Sequence, residues 1–348
     1  MAKRARNRIL LAVLSAALSL VFVEIFLEAM GTRPRYRAHW KTTLPQFELQ
    51  DDYLYRVRPQ RPHASSEFNA DGYRGPDPRA KSGRKRLLAL GDSFFMGLNV
   101  AADQTLPSAL ERELGDRYEV LNQGVYGYGP DQLLVRHRAE GTRYEADAVL
   151  LGVYAENDFN DLAKNRVYRY DQDGSLELNP ENPVREVLPL THLELFLRQA
   201  FTGHFLPPAR EQELAILLLS DTSDILSLLP NRERRAKISM MRSVLKAFAA
   251  DSRADGVPLF VVVIPSLSNV QEPDNLVALG VGPTDFFVNE RTVARLAADA
   301  GLPVLNLSGP LADRHDEELY QPFDNHFTPH GNAVAAGLIA EWLLAQGL

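Results

Sequence analysis

From Arg86 onward, short β-branched or leucine-rich runs alternate with amphipathic stretches, and no other feature limits the fold of this chain so closely. The runs are Arg86–Leu90, Tyr118–Leu121, Ala148–Tyr154, Leu259–Ile264 and Val304–Leu307. Strands alternating with helices predict an α/β fold with a parallel five-stranded sheet. The helices have readable ends. Ile238, Met241, Leu245 and Phe248 recur at helical spacing before Gly256-Val257-Pro258 stops the helix, and Gly301-Leu302-Pro303 repeats that joint. In the last helix Thr328 is placed as N-cap and Pro329 as first residue, with Val334, Leu338 and Trp342 on one face.

The chain has 348 residues, of which 45% are hydrophobic and 24% charged, so it is globular with room for a large core. A net charge of -7 argues against a nucleic-acid partner, whose phosphates call for a basic face. The absence of cysteine excludes a disulfide framework, a thiolate metal site and a cysteine nucleophile.

Residues 1–8 are basic, with Lys3, Arg4, Arg6 and Arg8, and precede an apolar stretch at 9–30 broken only by Ser15, Ser19, Glu24 and Glu28. As a helix that stretch spans roughly 33 Å, enough to cross a hydrocarbon core. The site a signal peptidase would need, at Leu27-Glu28-Ala29, is poor, so an uncleaved transmembrane signal anchor is expected, with the bilayer as a partner. Arg33, Arg35, Arg37 and Lys41 balance the basic residues before the helix, and the charge rule therefore does not set its orientation. The expected arrangement is a single-pass protein with its folded domain on the periplasmic or extracytoplasmic side. Residues 31–85 form an N-terminal extension of turn composition with no periodic element.

Gly91-Asp92-Ser93 follows the first core run directly. A serine on the turn leaving an early strand sits where substrates arrive in an open parallel sheet. Its hydroxyl is a weak nucleophile and needs a base, which in turn needs a group holding its other nitrogen; Asp324-Asn325-His326 offers both. Asp324, His326 and His330 also resemble metal ligands at short spacing. Pairing the two histidines would need one continuous helix, which Pro329 opposes, so no metal and no cofactor are expected. Attack on an ester carbonyl creates an oxyanion that needs preorganised donors. The backbone of Ser93, the glycine loop Asn122-Gln123-Gly124-Val125-Tyr126-Gly127 and the amide of Asn157 all follow successive strands.

These parts resemble the SGNH family of GDSL-type hydrolases, over roughly residues 86 to 158 and 236 to 345. Block one matches as Gly91-Asp92-Ser93-Phe94-Phe95-Met96-Gly97 and implies Ser93 as nucleophile. The family's oxyanion glycine lies five residues after an asparagine, which selects Gly127 over Gly124, and the asparagine preceding aspartate is Asn157. The final block pairs His326 with Gly331 and prefers His326 to His330. The family usually sets its aspartate three residues before the histidine, where this chain has Phe323; Asp324 is two before, a spacing similar to that of membrane-associated members such as alginate O-acetyltransferase-like enzymes.

The resemblance implies a flavodoxin-like three-layer α/β/α sandwich over residues 86–348, with a helical insertion at 159–231. It also implies a Ser93-His326-Asp324 acyl-enzyme mechanism whose oxyanion hole is built from Ser93, Gly127 and Asn157. The expected activity is ester hydrolysis of an acyl ester substrate, on a cell-envelope glycan or lipid. One alternative is an O-acyltransferase served by a membrane acyl-donor protein. Another is an inactive envelope binding module.

Overall fold

The computed structural model describes residues 7–8, 15–16, 18–23, 25–26, 47–50, 52–57, 67–81, 83–165, 167–170, 175–179, 232–271, 287–322 and 324–348. Its centre is a five-stranded sheet of β3 (Lys85–Gly91), β4 (Tyr118–Gly124), β5 (Ala148–Tyr154), β8 (Leu259–Ile264) and β9 (Val304–Asn306). Every pairing is parallel and the spatial order is β4-β3-β5-β8-β9. Counted in chain order this is 2-1-3-4-5, the flavodoxin-like order, whose direction reverses between the first and third strands, here β3 and β5.

The apolar runs are long and unbroken because the sheet is covered on both faces. Every residue of β5 and β8 is buried. Leu88, Leu90, Val149, Leu151, Val261 and Val263 face one core, closed by α3 (Pro130–Glu140), α4 (Asp158–Asn165), α5 (Arg232–Asp255) and α7 (Val288–Asp299). Leu87, Ala89, Leu150, Phe260, Val262 and Ile264 face the other, closed by α2 (Leu106–Leu114), α8 (Ser308–Ala312) and α9 (Pro329–Ala345). Three layers result. Thr328 caps α9 by accepting a hydrogen bond from the Gly331 N–H at 2.9 Å, and Pro329 occupies the first turn, where its missing N–H costs nothing.

Two segments differ from expectation. Within residues 31–85, where no periodic element is expected, β1 (Phe47–Gln50) and β2 (Leu54–Val57) pair as an antiparallel hairpin. Four-residue strands are too short to show a period in sequence, and this hairpin is held by tertiary burial of Phe47, Tyr55 and Val57 in the α3 face of the core. Within 159–231 the described residues complete α4 and then form a second hairpin, β6 (Tyr168–Tyr170) with β7 (Leu176–Leu178), so this part is not wholly helical. Residues 180–231 of the expected helical insertion lie outside the described residues.

No helix among the described residues is long and apolar enough to cross a membrane. Most of the expected anchor at 9–30 lies outside them. Where it is described, at 15–16, 18–23 and 25–26, it is helical, and Leu18, Leu20, Val21, Phe22, Ile25 and Phe26 are all exposed.

Candidate active site

Ser93 begins the short helix α1 (Ser93–Met96), directly after β3 and beside the point where strand order reverses. Asp92 caps that helix, accepting a hydrogen bond from the Phe94 N–H at 2.9 Å, and its Oδ2 lies 3.3 Å from Ser93 Oγ. The cap fixes the turn and keeps Ser93 Oγ at the carboxyl end of the sheet. Asparagine and glycine residues at the carboxyl end of β4 keep the turn compact: Asn122 Nδ2 donates to the Phe95 carbonyl at 2.8 Å. A Cβ on Gly124 would lie 2.2 Å from the Met96 nitrogen, a backbone collision that no rotamer change relieves.

His326 enters from the opposite end of the chain, in the loop before α9. Its Nε2 lies 2.7 Å from Ser93 Oγ. Its Nδ1 bonds Asp324 Oδ1, which also accepts the His326 backbone N–H at 3.1 Å. The shorter aspartate spacing therefore still reaches the imidazole, within a tight local turn. The ring packs against Phe94, centroid to centroid 5.1 Å, and Phe94 in turn packs on Phe327 and Tyr154. Gly331 allows the loop its path, because a Cβ there would lie 1.9 Å from the Leu319 carbonyl oxygen. Ser93, His326 and Asp324 thus form one hydrogen-bonded series. His330 turns elsewhere, with Nε2 2.6 Å from Glu317 Oε2, and no group of three or more metal-ligating side chains occurs among the described residues.

The loop after β4 separates its two glycines. The N–H of Gly124 donates to Asn122 Oδ1, that of Val125 to the Gly91 carbonyl, that of Tyr126 to Met96 Sδ and that of Tyr128 to the Val125 carbonyl. The N–H of Gly127, which sits at φ +70°, has no acceptor among the described residues. Asn157 lies just after β5, its carbonyl fixed by the Asp161 N–H at 2.8 Å, while its buried Oδ1 has no described partner.

The acids beside Asn157 are held toward their neutral forms. Burial pushes Asp158 well above the usual carboxylate range, and the charge of Asp92 adds to the shift. Burial likewise raises Glu156, against the hydrogen bonds it accepts from Tyr154 and Ser266, and lifts Glu290 to about 7 despite an amide bond from Asn269.

One site residue escapes sequence reasoning. Asn99 Nδ2 donates to Asp324 Oδ2, the carboxylate oxygen that His326 leaves open. Asn99 sits at φ +63°, a conformation asparagine tolerates better than most residues. The only local signal is an asparagine two residues after Gly97; its partner is 225 positions away. Asn99→Ala is expected to lower kcat about 3- to 10-fold at unchanged KM, as for loss of one partly solvated hydrogen bond to a carboxylate, in steady-state ester kinetics.

No curated protein matches the chain in sequence. Among solved structures it is similar to the lipase/acylhydrolase from Enterococcus faecalis, at 14% identity and a TM-score of 0.44, over 75% of this chain and 96% of that one. It is also similar to Est24, a carbohydrate acetylesterase from Sinorhizobium meliloti, at 13% identity and a TM-score of 0.40, over 76% and 100%. The aryl esterase of M. smegmatis matches at 13% and 0.40, over 75% and 99%. Residues 223–348, which include Asp324 and His326, match the family model of the SGNH hydrolase-like domain of acetyltransferase AlgX. Ser93 lies outside that stretch but in hydrogen-bond contact with it, and residues 223–348 are thus similar to an SGNH hydrolase-like domain.

Proposed function

We propose that this protein is a membrane-anchored serine enzyme that cleaves an acyl ester of the cell envelope through an acyl-enzyme. The observation that carries the reading is the 2.7 Å contact of Ser93 Oγ with His326 Nε2. In this reading Nε2 accepts the hydroxyl proton as Oγ attacks the acyl carbon, and Asp324 stabilises the imidazolium. The N–H groups of Ser93 and Gly127 and the amide of Asn157 receive the oxyanion. Collapse of the adduct expels the alcohol, which takes the proton from Nε2, and leaves the acyl group on Ser93. Water, activated by the same histidine, then releases the acid. Support for the anchor comes from the basic-then-apolar order of residues 1–30 and from the exposed apolar side chains of its described helical positions.

The second reading replaces water with a hydroxyl of an envelope polysaccharide and takes the acyl group from a membrane donor protein. It is favoured by the match of residues 223–348 to an acetyltransferase-related family model.

Fluorophosphonate labelling of the full-length protein in detergent, with Ser93→Ala as control, tests the common core of both readings. Labelling of the parent chain and none of the variant is expected. No labelling of a folded parent chain would overturn both and leave an inactive binding module. An acetylated substrate offered with water alone or with glycan acceptors then separates them: free acetate in water marks the hydrolase, and transfer without competing hydrolysis marks the transferase.

A further inference from the structure

The N-terminal hairpin touches the loop that carries Gly127 at two points and the first turn of α3 at a third. Tyr55 Oη donates to the Tyr126 carbonyl at 2.8 Å, Tyr128 Oη donates to the Tyr55 carbonyl, and Gln132 Nε2 donates to the Tyr53 carbonyl at 2.8 Å. Tyr126 and Tyr128 bracket Gly127, so the first two bonds act on either side of it. Gln132 completes the clamp from α3, since its Oε1 accepts the Gly129 N–H at 3.1 Å and Asn165 Nδ2 at 2.7 Å. The rings of Tyr55 and Tyr128 meet edge to face at 5.1 Å, and both side chains are fully buried.

The backbone between these contacts is strained. Leu54 is fully buried at φ +75°, and the Tyr55 N–H reaches back to the Tyr53 carbonyl at 2.9 Å, closing a three-residue turn that leucine disfavours. That turn aims the Tyr53 and Tyr55 carbonyls at the loop. Strain of this kind persists only where surrounding contacts over-determine it, and here those contacts are the ones to the Gly127 loop and to Gln132 of α3. Farther along the same extension, Arg74 gathers the carbonyls of Met96, Gly97 and Val100 around Asn99 while pairing with Glu67 at 2.6 Å.

We infer that the hairpin 47–57 is a positioning element of the acyl-transfer site, holding the Gly127 N–H at the oxyanion through Tyr55. The inference rests on the proposed role of Gly127. Tyr55 touches no reacting atom; it acts through the Tyr126 carbonyl.

The test compares Tyr55→Phe with Val57→Ala in the full chain. Val57 is buried in the same hairpin, and its truncation loosens the hairpin without deleting the bond to the loop. With an activated acetyl ester, Tyr55→Phe is expected to lower kcat about 10- to 100-fold at a KM within about twofold, the scale of a misplaced catalytic group. Hydrogen exchange of the 125–129 amides should quicken about five- to tenfold, as for one lost buried hydrogen bond, without a matching change in α9. Val57→Ala should change both by markedly less. Unchanged loop exchange in Tyr55→Phe, or equal effects of the two variants on exchange and kcat, overturns the inference. A parent chain that neither reacts with fluorophosphonate nor turns over esters sinks the catalytic reading of the site and with it the role inferred for the hairpin, whereas a reactive parent chain with unchanged loop exchange sinks the clamp alone.

Discussion

Asp324→Asn is expected to lower kcat about 10⁴-fold, the scale found when a Ser-His-Asp site loses its carboxylate charge. Asp324 Oδ1 accepts from both His326 Nδ1 and the His326 backbone N–H, so an amide there must either offer its oxygen without the charge or turn its NH₂ toward the ring. The second arrangement favours the wrong tautomer and removes the lone pair that faces Ser93. Neither touches the core. Asp324 lies in a loop with its side chain about one-third exposed, so the thermal midpoint should stay within about 2 °C, as for other surface substitutions. Kinetics on an activated ester and a melting curve check both halves. Activity within tenfold of the parent chain would mean that another group orients the histidine.

Asn157→Ala should reduce kcat by about 10²–10³, the loss typical of one oxyanion donor. The backbone at Asn157 is held independently of the side chain, through the Asp161 N–H, so truncation removes the amide without moving the turn. KM should change little, because the oxyanion exists only in the transition state. Fluorophosphonate labelling should slow in parallel, since phosphonylation places a developing negative oxygen in the same pocket. A rate within twofold of the parent chain takes Asn157 out of the site.

The parts of this molecule that were legible in sequence are those that leave their mark on a short run of neighbouring residues. The runs at 87–90, 148–154 and 259–264 are apolar along their whole length because two helical layers bury them, and burial on both faces leaves a mark no single-faced strand makes. Thr328-Pro329 could be read as the start of α9 because capping acts within four residues. The hairpin 47–57 was not legible: its burial comes from Tyr128 and Leu133 far along the chain, and its own residues include Glu48, Gln50 and Arg56. Asn99 was hidden for the same reason. The choice of Gly127 over Gly124 came from motif spacing; in the structure Gly124 gives its N–H to Asn122 and leaves no room for a Cβ beside Met96, while the Gly127 N–H has no acceptor among the described residues.

Ser93 and His326 are separated by 233 positions, and both ends of that span are fixed only by docking onto the finished sheet. Contacts of such separation form late, because the entropy of closing the intervening chain must be met first. In synthesis the serine emerges early and stands beside a sheet that still lacks β8 and β9. A chain arrested before residue 324 would hold a capped serine hydroxyl without a base, and therefore an ordinary alcohol. Under the proposed mechanism reactivity depends on that docking, and the rate at which a refolding chain becomes susceptible to fluorophosphonate would time the docking of its final helix.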